Sequence, residues 1–427
     1  MTTLLIKNGH VIDPANGKDG VFDLLIEKGK IAQVAKKISE PKGAEVVDAK
    51  GLTVVPGFVD VHVHLREPGQ EYKETIATGT KAAAAGGFTS VCCMANTSPV
   101  NDNAAVTQSI LESARKTASV NVFPIGSVTK NLDGIEMSEI GELKEAGCVA
   151  LSDDGRTVKN AALYRKAMEY SKSFDLPVIS HALCSDLMGK GVMNEGFVST
   201  ELGLTGIPHE AEDVIISRDI ALAALTNCHV HIAHVSTARG VELIREAKKK
   251  KWPVSGEVTP HHFTLTDEAC RSYDTNTKMA PPLRTREDIK AIEKALADGS
   301  IDVIATDHAP HSLSDKEVDF EQAPFGIIGL ETAFPLSLRL VQKGLIDLKR
   351  LVELLSVNPA KLMKIQRGTL SEGAVADVVI LDLEKEWNYD VNQSFSKSRN
   401  TPFQGEKFKG AVVNTIVGGK LVFQNKY

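Results

Sequence analysis

The sequence predicts a (β/α)8 TIM-type barrel with a small β-sandwich domain built from both ends of the chain. Two observations carry this. Between residues 56 and 365, short apolar runs alternate eight times with helical patterns. That alternation implies parallel strands, and eight of them imply a closed barrel. Outside that region the pattern changes to short strand-like runs separated by turn residues. The expected division is therefore 1–55 with 366–427 as the small β-domain, and 56–365 as the barrel.

The amino-terminal runs LLIKNGHVID, FDLLIEKGKIAQV and LTVVPG read as antiparallel β material. GFVDVHVHL is the first barrel strand and ETIATGTKAAAA its helix, stopped by Gly86-Gly87. FTSVCCMA and AAVTQSILESARK form the second unit, with Cys92 and Cys93 as buried packing residues. NVFPIGSV leads to a short helix ending at Ala146, and GCVALSDD to AALYRKAMEYSKSF. PVISHA is followed by a long loop and DVIISRDIALAALT. HVHIAHV leads to RGVELIREAKKKK, PVSGEV to a helical region through Ala297, and DVIATDHAP to GLETAFPLSLRLVQK. After residue 365, DVVILDL, GAVVNTIVGG and KLVFQN return to strand character.

Composition excludes several classes of function. A net charge of −6 gives no reason to expect nucleic acid or an anionic membrane as partner. The basic cluster Lys248–Lys251 reads as a solvated helix end, where cations suit the dipole. No apolar run approaches the ~20 residues that cross a bilayer, and the chain starts without a secretory pattern. Six scattered cysteines without a C-x-x-C pair fit reduced thiols, so a cytoplasmic location is expected. Phosphate-loop, H-E-x-x-H and G-x-S-x-G motifs are missing.

The chemistry lies at the strand ends. His62 and His64 are separated by a single residue in a strand, so both rings point to the same side. Alone, such a pair is as readily core as ligand. But Asp153 and Asp154 end the fourth strand, His181 the fifth, His234 the sixth and Asp307 the eighth. Barrels of this kind carry their chemistry at the carboxyl ends of the strands. Imidazoles and carboxylates converging on one rim make a metal site.

PGFVDVHVHLREPG, MANTSP, SDDG, SHA, HVS and TDHAPH together resemble the class I dihydroorotases of the amidohydrolase superfamily, over essentially the whole chain. The resemblance implies a zinc centre of His62, His64, Asp154, His181, His234 and Asp307. It further implies two ions bridged by Asp154, and substrate contacts from Arg66, Asn96 and His311. Hydantoinases, dihydropyrimidinases, allantoinases and the other dihydroorotase class bridge their metals with a carboxylated lysine near the end of strand four. Here GCVALSDDG contains no lysine, and Asp154 can supply the carboxylate.

The expected reaction is reversible closure of N-carbamoyl-L-aspartate to dihydroorotate. Asp307 is expected to move the proton between water and the ring nitrogen. Arg66, one step beyond His64 on the same strand face, can meet the substrate's free carboxylate with two hydrogen bonds. Its alternative is a surface pair with Glu67 or Glu71. Asn96 can orient that carboxylate or serve its own turn. His311 opens a loop running to Gly329 that could close over the ligand. In TKMAPPLR, Ala280 stands where the family often has a substrate-binding Asn; main chain, Asn276 or water would replace that contact. The competing readings are another cyclic-amide hydrolase and a non-catalytic subunit supporting aspartate carbamoyltransferase. A homodimer and association with that transferase remain open.

Overall fold

The computed structural model describes residues 3–425. Its centre is a sheet of eight parallel strands: Phe58–Val63, Phe88–Cys93, Asn121–Gly126, Ala150–Ser152, Val178–Ser180, Val230–Ile232, Val254–Val258 and Val303–Ile304. They follow one another in chain order, as short strands joined by helical crossovers must. The two edges meet where Val63 bridges His308 and the His64 amide donates to the His308 carbonyl at 2.9 Å. All eight strand–helix units expected from the sequence are present.

Strand side chains alternate between two cores. Val230, Ile232, Val254 and Val258 pack outward against helix residues such as Ile216, Ile244 and Ile292. Ile179, Ala233, Val303 and Ala305 form a separate interior cluster, closed from one end by Met363. Each fully buried Ile or Val contributes roughly 1.5–3 kcal/mol, so the inward and outward assignments are strongly fixed. That register turns His231, Ser255 and Glu257 into the barrel. The first helix, Ile76–Ala85, starts at Thr75, whose hydroxyl accepts the Thr78 amide, and ends at Gly86. A Cβ at Gly86 would lie 2.1 Å from the Leu330 carbonyl oxygen, so close packing demands glycine there.

Beside the barrel, strands from both chain ends form one eight-stranded sheet. Thr53–Pro56 pairs antiparallel with Val378–Asn388 and joins the two contributions. Residues from strands far apart in the sheet order, Ile31 and Ile416 among them, share one core cluster, so the sheet curls over its own core. The amino-terminal part is mixed rather than wholly antiparallel. Leu4–Asp13 pairs antiparallel with Lys18–Glu27 across a tight turn, but parallel with Glu45–Asp48 and Thr53–Pro56. The long loop after the fifth barrel strand contains a further parallel pair, Met193–Asn194 with Gly206–Ile207. Among the described residues, no helix is long and apolar enough to cross a membrane.

Candidate metal centre and active site

All six residues expected at the centre come together at the carboxyl ends of the barrel strands. His62 lies within the first strand and His64 just beyond it, both buried. Asp153 and Asp154 part company after the fourth strand. Asp153 accepts the amides of Val128 and Thr129 and the Thr129 hydroxyl, so its carboxylate holds a loop. Asp154 faces the histidines. His234 and Asp307 both adopt positive φ, 35° and 47°. Such a conformation costs on the order of 1–3 kcal/mol outside glycine and needs support from its surroundings. For Asp307 that support is visible. Asp60 accepts the amide and hydroxyl of Thr306, whose hydroxyl oxygen accepts the His308 amide.

The geometry divides around Asp154. Its Oδ1 lies 3.3 Å from His62 Nε2, 3.3 Å from His181 Nδ1 and 3.6 Å from His234 Nε2. Its Oδ2 lies 3.4 Å from His64 Nε2. Asp307 Oδ1 lies 3.4 Å from His62 Nε2 and 3.1 Å from His64 Nε2. Two triads of suitable ligand atoms result, His62–His64–Asp154 and Asp154–His181–His234, sharing the aspartate. His62 Nε2 and Asp154 Oδ1 are buried without a hydrogen-bond partner among the described residues. Buried polar atoms are rarely left so; a divalent cation satisfies both.

The field also calls for a cation. Burial disfavours charge on His62, but Asp154, Glu257 and Asp307 outweigh it and hold the imidazole well above its ordinary value. Burial opposes ionisation of Asp154 and Asp307 too, yet the surrounding histidines keep both carboxyls below the usual range. Imidazole and carboxylate donors at these separations suit zinc and similar ions.

Two residues orient the first pair of rings. His62 Nδ1 donates to Glu257 Oε1 at 2.6 Å, and His64 Nδ1 to Asn96 Oδ1 at 2.9 Å. Each bond leaves Nε2 as the ring's free lone pair. Asn96, expected near substrate, thus also serves a histidine, and its amide nitrogen lies 3.3 Å from the Asp154 carbonyl oxygen. Glu257, His231 and His261 were not anticipated. His261 is buried against this cluster with Nε2 unpartnered among the described residues, and burial pulls it down to about 4. The available signals were a glutamate inside the apolar run PVSGEV and the HH that follows it.

Arg66 reaches the mouth by a different route from the one expected. The strand ends at Val63 and Arg66 has φ 59°, so a left-handed turn, not strand alternation, aims it. Its Nε donates to the Pro310 carbonyl at 3.2 Å. Glu67 accepts from Ile76 and Ser113, and Glu71 from Gly69, so neither pairs with Arg66. His311 Nε2 donates to the Phe325 carbonyl at 2.9 Å, leaving Nδ1 facing Lys73 at 3.4 Å. Burial and the cations Arg66, Lys316 and Lys73 push His311 down to about 2, so it stays neutral.

The loop from His311 is docked rather than open. Lys316 donates to the Thr275 and Pro324 carbonyls, and Lys278 to those of Phe320 and Glu321. A pocket of about 290 Å³ beside it is lined by Asn276, His311 and Arg399. A second cleft, about 470 Å³, reaches His181 past Gly155 and Arg156.

Comparison with known proteins agrees with this architecture. The amidohydrolase family model matches residues 53–422. A dihydroorotase of Geobacter metallireducens is 55% identical over 421 residues, covering 99% of each chain. A dihydroorotase of Anaeromyxobacter dehalogenans is 54% identical over 423 residues, covering 99% of this chain and 98% of its own. Among solved structures, an L-hydantoinase (dihydropyrimidinase) from Arthrobacter aurescens superposes with a TM-score of 0.90 at 27% identity, covering 100% of this chain and 97% of that one. The chain belongs to the amidohydrolase family, among the dihydroorotases.

Proposed function

We propose that the enzyme interconverts N-carbamoyl-L-aspartate and (S)-dihydroorotate in pyrimidine synthesis, using two zinc ions per chain held by His62, His64, Asp154, His181, His234 and Asp307. The observation that carries this reading is the division of Asp154, with one carboxylate oxygen facing three histidines and the other facing the fourth. That is the arrangement of a bridging carboxylate supplied directly by the chain. When bound, the ions supply Lewis acidity, which activates water at neutral pH and polarises the amide carbonyl.

The chain's own groups do the rest. In ring opening, Asp307 takes a proton from the attacking water and delivers it to the ring nitrogen as the C–N bond breaks; ring closure reverses both transfers. Opening makes a new carboxylate and releases one proton, so closure consumes one. Arg66, half-buried and without a carboxylate partner among the described residues, grips the substrate's other carboxylate. Asn96 and neutral His311 complete its surroundings, His311 exchanging the Phe325 carbonyl for the ligand. Asn276, whose Oδ1 is buried without a partner among the described residues, takes up the contact that Ala280 cannot make. A homodimer and association with an aspartate carbamoyltransferase are both compatible with this site. The expected location is cytoplasmic.

The likeness to a hydantoinase favours one competing reading, a hydrolase of hydantoins or dihydropyrimidines. Arg66 separates the two, because dihydrouracil has no carboxylate. The test combines zinc analysis with turnover of dihydroorotate and dihydrouracil. We expect close to two zinc per chain and strong preference for dihydroorotate. Metal-stripped enzyme should recover with zinc in CO₂-depleted buffer. Preference for dihydrouracil, or dependence on bicarbonate, would overturn the assignment; absence of metal and turnover would favour the non-catalytic reading.

A further inference from the structure

A line of hydrogen bonds runs down the inside of the barrel from the metal-facing histidines. Glu257 is fully buried. Its Oε1 accepts His62 Nδ1 at 2.6 Å and the His234 main-chain amide at 3.2 Å. Its Oε2 lies 3.0 Å from His231 Nε2. Beyond His231, Nδ1 lies 2.8 Å from Ser255 Oγ, which lies 2.8 Å from Nε2 of His229. His231 and Ser255 are register partners on adjacent strands, and Ser255 and Glu257 share one strand face, so the fold itself aligns the groups.

With both histidines neutral, the donors and acceptors can be ordered in one way. An ionised carboxylate only accepts. His231 must therefore donate through Nε2, which makes its Nδ1 an acceptor. Ser255 then donates its hydroxyl proton to His231 and accepts from His229. Every bond points towards Glu257, and none requires a charged histidine. His229 is only half-buried, at the end of the barrel away from the metal cluster.

We infer that Glu257 is the positioning residue of the metal centre, and that the His229–Ser255–His231 chain holds its carboxylate in the orientation that fixes His62 and His234. This rests on reading His62 and His234 as metal ligands. Glu257 holds the His62 ring so that Nε2 is the lone pair offered to the ion, and its negative charge strengthens that donor. Through the His234 amide it also secures the backbone of a second ligand. Partners of this kind typically change metal affinity by about 10–100-fold.

The test measures zinc affinity of the metal-stripped full chain by chelator competition, together with the downfield proton resonance of His62 Nδ1–H. Glu257→Gln removes the charge and should weaken zinc binding by about 10–100-fold, with unfolding temperature of the metal-free protein little changed. Ser255→Ala leaves Glu257 in place but cuts the chain; it should shift the His62 resonance and weaken zinc binding by roughly two- to fivefold, below the full effect of removing the carboxylate. Glu257→Gln binding zinc within twofold of the parent would overturn the inference. Should that variant not fold, Ser255→Ala decides alone, and an unmoved resonance with unchanged affinity overturns it. His62→Ala is the control: if it binds zinc like the parent, the ligand reading fails, while the resonance in Ser255→Ala still judges the relay.

Discussion

His62 and His64 are two residues apart, yet the protein holds them by opposite means. His62 is sealed inside the barrel against the charged Glu257, and neither is exposed at all. His64 sits at the mouth, 5% exposed, against the neutral amide of Asn96. A negative charge at position 96, on the outer side of His64, would face the anionic substrate proposed for the site. At ~5 Å, like charges repel by about 1 kcal/mol in water and about 3 kcal/mol at an effective dielectric near 20. Deep in the barrel the same charge strengthens a ligand without meeting the substrate. The inner half of the centre can therefore be optimised for the metal, and the outer half must also suit the ligand.

The sharpest way to break this comparison is to alter the carboxylates between the halves. Asp154→Asn should lose zinc and activity together, because a neutral amide joins two cations poorly. Asp307→Asn should keep most of its zinc and still bind dihydroorotate, but turn over at least about a hundredfold more slowly, as expected for loss of a general acid–base group. Zinc per chain, ligand affinity and turnover distinguish the two. If Asp307→Asn loses metal as readily as Asp154→Asn, its role is ligation and the proton carrier lies elsewhere.

Arg66→Met tests the outer half alone. A lost charge-assisted hydrogen bond typically costs about 1.5–3 kcal/mol, so kcat/KM for dihydroorotate should fall roughly 10- to 100-fold while zinc content holds. Wild-type efficiency would remove Arg66 from the carboxylate site. Asn96→Asp should have the smallest effect and the most specific one. It gives His64 the kind of partner His62 has, so zinc binding should be no weaker. KM for dihydroorotate should rise at least about fivefold through like-charge repulsion. A drop in zinc affinity with KM unchanged would contradict the proposed division of labour.

Much of this was legible in the sequence, for identifiable reasons. Parallel strands covered on both faces read as unbroken apolar runs, so all eight were visible. The residues proposed as ligands sit at strand ends, where His181, His234 and Asp307 stand out from the preceding aliphatics. The strand direction in residues 4–56 was not visible, because alternation has the same period whichever way a neighbour runs. Arg66 does lie near the mouth of the barrel, but a left-handed turn, not strand alternation, puts it there. Glu257 was hidden because a strand of four uncharged residues and one glutamate reads as core, and only the fold reveals that its face is shared with His231 and His62. The docking of the loop after His311 depended on Lys278 and Lys316, whose buried ammonium groups are held by main-chain carbonyls with no sequence signature.

The pairing of Thr53–Pro56 with Val378–Asn388 has a consequence for how the chain is made. Thr53–Pro56 leaves the ribosome long before Val378–Asn388, the strand that covers its free edge. At about 5–20 residues per second the interval is tens of seconds. Throughout that time Val54 and Val55 present an unpaired, apolar edge, while the barrel strands emerge and can begin to assemble. A ribosome that stalls before Val378–Asn388 has emerged therefore leaves a nascent chain with a sticky border for chaperones to guard.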